Sequence, residues 1–182
     1  QVELRAVGPQ LGANALSSSL KAALIGIVLV AIFMILVYKL PGFVSVIALG
    51  FYIVIEAIVL GLLKVNLSLP GIAGIILSIG MAVDANVVIF ERIKEEIRNG
   101  KTVKSAIDSG FKRAFTAILD SNVTTLIAAG VLFLFGSGTI VGFATTLGLG
   151  VIISMFTALT VTHFLLNRMV DFKIKNPKVY GA

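Results

Sequence analysis

Residues 69–90 read LPGIAGIILSIGMAVDANVVIF, and ERIKEEIRNG follows at 91–100. The first stretch contains a single charged residue, Asp84. As a helix it would rise about 1.5 Å per residue, roughly 33 Å in all. A bilayer hydrocarbon core is about 30 Å thick. Pro70 suits a first helical turn, where its missing N–H costs nothing. The abrupt change to charge at Glu91 marks the end of the apolar run. The stretch therefore predicts a membrane-spanning helix, and an acid inside it is a functional suspect by default.

Four further blocks of similar character flank it. They predict helices over 20–38, 43–63, 115–135 and 140–166, giving an all-α membrane protein with five transmembrane helices. Ser17, Ser18 and Ser19 are placed to cap the first. Lys39-Leu40-Pro41-Gly42 predicts a tight turn before the second. Gly136-Ser137-Gly138-Thr139 does the same before the fifth. Of the 182 residues, 58% are hydrophobic and 13% charged, with a mean hydropathy of +1.06. That is too little polar surface for a soluble domain of this size. The net charge of +6 does not point to nucleic acid, because the basic residues sit between apolar blocks and form no patch.

Residues 91–114 are the long polar stretch. Val103, Ala106, Ile107, Gly110, Phe111 and Ala114 recur at helical spacing, which predicts a cytoplasmic amphipathic helix along the membrane surface. Orientation follows from lysine and arginine placement. With the N-terminal end outside, the inner segments hold Lys39, Arg92, Lys94, Arg98, Lys101, Lys104, Lys112, Arg113, Arg168, Lys173, Lys175 and Lys178. Only Arg5, Lys21 and Lys64 remain outside, a 12-to-3 division of the 15 basic residues. Residues 168–182 then form a cytoplasmic basic tail. Residues 1–19 lack a signal-peptide pattern and read as the end of an extracytoplasmic domain, so the chain is expected to begin partway through a longer protein.

Absence of cysteine removes disulfide and thiolate chemistry, and His163 alone cannot form a metal cluster. No phosphate loop or catalytic constellation is present, so no cofactor and no enzymatic activity are expected; protons are the expected coupling ion. Three acids lie in apolar blocks: Glu56, Asp84 and Asp120. An aspartate at mid-membrane costs about 2.5–3.5 kcal/mol on insertion scales. Asp84 lies roughly 9 Å in from Phe90 and Asp120 roughly 7.5 Å in from Phe115, on antiparallel helices joined at that end. Both carboxyls thus share one depth, and a desolvated carboxyl beside a like charge can exchange its proton near neutral pH. Asp120 and Thr124 share a helix face, and Asn122 and Thr125 an adjacent one. Asp84 shares a face with Gly80, Val88 and Glu91, the last at the cytoplasmic mouth. Asn86 lies about two hundred degrees round from Asp84 and serves another contact. Each acid also admits a purely structural hydrogen bond, and for Glu56 that is the favoured reading. His163 is placed to snorkel or to cap carbonyls. Gly71 and Gly74, with Gly142, Gly148 and Gly150, suit close helix approach.

Gly80-Met81-Ala82-Val83-Asp84-Ala85-Asn86-Val87-Val88-Ile89-Phe90-Glu91-Arg92-Ile93-Lys94-Glu95-Glu96 resembles the signature of the SecD subunits of the SecD/SecF protein-export family, relatives of the RND proton-driven transporters. Asp120-Ser121-Asn122-Val123-Thr124-Thr125-Leu126 resembles the next motif, Val7-Gly8-Pro9-Gln10-Leu11-Gly12 the lead-in, and Gly142-Phe143-Ala144-Thr145-Thr146-Leu147-Gly148 the last helix. The resemblance covers nearly the whole chain. It implies an earlier membrane helix and a large outer domain before residue 1, and a location in the bacterial inner membrane. It also implies SecF as partner, the SecYEG channel, association with SecA, YajC and YidC, unfolded preprotein as cargo, and membrane lipid around the helices. It assigns Asp84 to proton movement, with Asp120 and Thr124 as neighbours. Two departures stand out: His163 where many relatives carry arginine, and Glu56, which matches no family acid. An RND-type exporter of lipids or drugs and a passive membrane scaffold are the competing readings.

Overall fold

The computed structural model describes residues 9–65, 67–171 and 177–180. Four long apolar helices dominate it: α1 (Pro9–Leu62), α2 (Leu69–Arg98), α3 (Val103–Phe135), and a rod beginning with α4 (Thr139–Phe156). That rod continues through a π-helical stretch, Thr157–Thr162, into α5 (His163–Asp171). A short 3₁₀ turn, Pro177–Tyr180, closes the described chain.

α1 is broken at Lys39, where φ is 52° and ψ −115°. Pro41 follows, removing a backbone donor just past the break. The chain folds back there: a Cβ on Gly42 would strike the Met34 carbonyl oxygen. Eight residues of straight helix would hold those positions about 12 Å apart, so only a reversal brings them together. The turn predicted at 39–42 is therefore present, and it buries Met34, Tyr38 and Val44 in the main core.

α2 is the central element. Ser68 caps it by accepting from the Gly71 amide at 3.2 Å, and Pro70 lies in the first turn. It packs most extensively on α4, then on α3 and α1. The α2–α4 crossing uses the glycines picked out in the sequence. A Cβ on Gly71 would lie 3.6 Å from the Gly142 oxygen, and one on Gly74 would collide with Thr146. Thr146 donates across the crossing to the Gly71 carbonyl at 2.9 Å.

Three boundaries differ from expectation. The first helix starts by Pro9, so Ser17–Ser19 lie within it and do not cap it. No separate helix occupies 91–114: α2 runs on to Arg98, and α3 begins at Val103, capped by Thr102, and continues into the apolar block. Its apolar stripe is covered by protein. Val103, Ala106, Ile107, Gly110, Phe111 and Ala114 are buried, and Gly110 sits against the Ile93 backbone. Finally, the tail returns to the bundle, because Tyr180 is 1% exposed in the main core against α1. The first part of the lead-in motif, Arg5, Asn66, Lys173 and Lys175 lie outside the described residues.

At 30 residues, α2 is about 45 Å long, so its last turns project beyond a hydrocarbon core. Arg113 and Lys101 clamp that projection, reaching Glu96 at 2.5 and 2.6 Å. These two cations hold the Glu96 carboxyl below the usual carboxylate range. The outward faces of α1 and of the end of α3 carry large apolar side chains, among them Leu24, Leu29, Leu36, Leu134 and Phe135. That pattern fits a lipid surround.

Candidate functional site

The predicted aspartates are both exposed. Asp84 is exposed, in a stripe with Ala73, Leu77, Gly80 and, two turns on, Glu91 along one face of α2. Asp120 is exposed on the neighbouring helix, beside Ser121 and Thr124. The hydroxyls there bond to their own helix: Thr124 to the Asp120 carbonyl at 3.0 Å, Thr125 to Ser121 at 3.2 Å and Ser121 to Ile118 at 3.2 Å. Neither carboxyl group has a side-chain partner among the described residues. Glu91 accepts from Lys94 at 3.3 Å, and that ammonium lies 4.4 Å from the Tyr38 ring centroid.

Asn86 faces the other way. It is buried, bonds to the Ala82 carbonyl at 3.3 Å, and accepts from Thr162 of the π-helical stretch at 2.8 Å. Asn122 is likewise buried, bonding to the Ile118 carbonyl at 2.7 Å. Both therefore serve packing and stand apart from the outward acids. His163 has neighbours from α3 and from its own helix. Its ring lies 4.4 Å from that of Phe111, with Nε2 3.4 Å from Asp108 Oδ1 and 3.1 Å from Asn167 Nδ2.

Glu56 is enclosed, at 2% exposure. Its Oε1 lies 3.2 Å from Ser78 Oγ, to which the Tyr52 hydroxyl donates at 2.7 Å. Sequence reasoning missed both partners. The i, i+4 spacing of Tyr52 and Glu56 was a usable signal; Ser78, a lone hydroxyl amid apolar residues, was a weaker one.

Comparison with known proteins decides the family. The model of the family described as "Protein export membrane protein SecD/SecF, C-terminal" matches residues 1–171. The chain belongs to the SecD/SecF family. It is 59% identical over 182 residues to the protein translocase subunit SecD of Acidaminococcus fermentans, covering 100% of this chain and 44% of that protein. It is 56% identical over 165 residues to the SecD of Synechocystis, covering 91% and 35% respectively. The chain thus spans less than half the length of these SecD relatives. Among solved structures, it resembles the crystal structure of SecDF, a translocon-associated membrane protein from Thermus thermophilus. The TM-score is 0.89 at 38% identity, over 91% of this chain and 23% of that one. A second SecDF structure, in a super-membrane-facing form, gives 0.84. The family resemblance carried by residues 80–96 and 120–126 is borne out.

Proposed function

We propose that this chain is the membrane region of a SecD-type subunit that couples proton movement to protein export. In this reading SecF packs beside it, the pair works with the SecYEG channel, and preprotein is the cargo. The two limbs of α1 each cross the membrane, making five crossings. The N-terminal end lies outside the bacterial inner membrane and the C-terminal end in the cytoplasm, in line with the basic residues around 91–114. No bond-making chemistry is assigned to the chain.

The observation that carries the reading is the position of Asp84 and Asp120. Two carboxyls stand exposed on apolar helices, with no side-chain partner among the described residues. Bare contact with lipid would cost each of them up to about 2.5–3.5 kcal/mol, so the face needs a polar partner surface, and SecF supplies it. A carboxyl at such a contact changes charge as it takes or gives a proton. That change biases the equilibrium between two packings of the partner helices. Glu91, at the end of the same stripe, stands where a proton leaves for the cytoplasm. Thr124 and Thr125 give the seam a polar lining. Asn86 and Asn122 hold the two helices in place behind it.

The test is Asp84→Asn in the full-length subunit assembled with SecF. Preprotein export is measured with and without an imposed proton gradient. The expected outcome is loss of the gradient-dependent increment with assembly intact. An unchanged increment would falsify the proton assignment and leave the scaffold reading standing.

A further inference from the structure

The third acid, Glu56, is buried at a junction of three helices. Tyr52 and Glu56 come from the second limb of α1 and Ser78 from α2. On the third side is Gly150 of α4, where an added Cβ would lie 3.0 Å from Glu56 Oε1. Glu56 also lines a cavity of about 400 Å³ with Leu60, Gly61, Lys64, Val65 and Leu67. That cavity reaches the loop between α1 and α2, at the opposite end of the bundle from the Asn99–Thr102 turn. Ionisable neighbours are few. Tyr52 is the one on the same limb, Lys64 stands at the cavity rim, and neither α2 from Leu69 to Met81 nor α4 carries any.

Ser78 has one proton to give and two acceptors within reach: Glu56 Oε1 at 3.2 Å and the Ile75 carbonyl at 2.8 Å. A hydroxyl donates once and accepts twice. With Glu56 ionised, Ser78 must point at the carboxylate and leave Ile75. With Glu56 neutral, the acid proton goes to Ser78 Oγ, Tyr52 donates to the same oxygen, and Ser78 turns its own proton to Ile75. Every proton then has an acceptor, and one proton has been taken up with none released.

We propose that Glu56 is a second proton-binding site, reached through the cavity from the side of the 63–68 loop and read out by rotation of the Ser78 hydroxyl. That side is the extracytoplasmic one if the orientation proposed above holds. The site differs from the outward aspartates in being complete within this chain, needing no partner surface. It also lies at the α2–α4 crossing, so the neutral and ionised states bear directly on the contact that holds the bundle.

The test uses the full-length subunit with SecF in vesicles, with infrared difference spectra recorded as the pH is stepped on the side of the 63–68 loop. The expected result is a neutral-carboxyl carbonyl band that fades reversibly as pH rises. It is absent in Glu56→Gln and retained in Asp84→Asn. The glutamine amide donates to Ser78 as the neutral acid does, which preserves the fold. Ser78→Ala should shift the band frequency, because the acid loses its acceptor. Absence of a Glu56-dependent band at every pH, or a band of constant intensity throughout, overturns the proposal. A response only to pH on the opposite side overturns the route. The Asp84 reading fails or survives separately, on the export measurement.

Discussion

Glu56 and Asp84 are both carboxyls within apolar helices, yet their surroundings are opposite. Glu56 sits at 2% exposure among a serine, a tyrosine and a glycine drawn from three helical segments. Asp84 stands on the outside of the bundle, with no side-chain partner among the described residues. An acid whose partners come from its own chain is part of that chain's fold. An acid without them marks a surface that is complete only in an assembly. The two carboxyls thus differ in what surrounds them: Glu56 is enclosed by its own chain, and Asp84 stands exposed.

The sharpest way to break this contrast is to make one substitution at both positions. Asp84→Leu removes an unpartnered acid, so insertion of the 69–98 helix alone should become more favourable by up to about 2.5–3.5 kcal/mol, read in a glycosylation-reporter assay. Glu56→Leu strands the Tyr52–Ser78 pair beside an apolar group, so the assembled protein should lose about 1–3 kcal/mol, seen as a lower unfolding midpoint in detergent. Equal signs at the two sites would undo the comparison.

A smaller effect sharpens it. Asn86→Ala removes the acceptor for Thr162 and should cost about 0.6 kcal/mol, with 1.7 as the ceiling seen for such membrane hydrogen bonds. Export driven by the proton gradient should persist in this variant, since Asn86 faces away from Asp84. The smallest effect is expected at Glu96. Its carboxyl is held below its usual value of 4.5 by Lys101 and Arg113. The clamp therefore contributes stability above that pH, and the contribution is lost as pH falls through the lowered value. Glu96→Gln should lower the neutral plateau slightly, by what the clamp contributes there, and so flatten that acid limb of a thermal-stability profile.

Much of this was legible in the sequence, for a plain reason. Apolar runs set by bilayer thickness and the Pro41-Gly42 turn are local signals, and the glycines pointed to close helix contacts without saying which helices meet; Gly71, Gly74, Gly142 and Gly150 lie at the α2–α4 crossing. Periodicity also separated Asn86 from Asp84 correctly. What periodicity cannot say is what covers a face. The stripe from Val103 to Ala114 fits lipid or a neighbouring helix equally well, and the end of α2 covers it. The same gap hid the partners of Glu56, which come from segments 22 residues apart for Ser78 and from a third helix for Gly150. It hid the Phe111–His163 contact too, which joins two distant stretches of chain.

The π-helical stretch at Thr157–Thr162 has a mechanical consequence. Such wide turns add slack to a helix by shifting its hydrogen bonds from i+4 to i+5, and one extra residue rotates everything beyond it by about 100°. The glycine seam of α4 and the His163 end of α5 therefore belong to one continuous rod but answer to different angular settings. The rod can keep its grip on α2 while its far end is aimed independently at the head of α3.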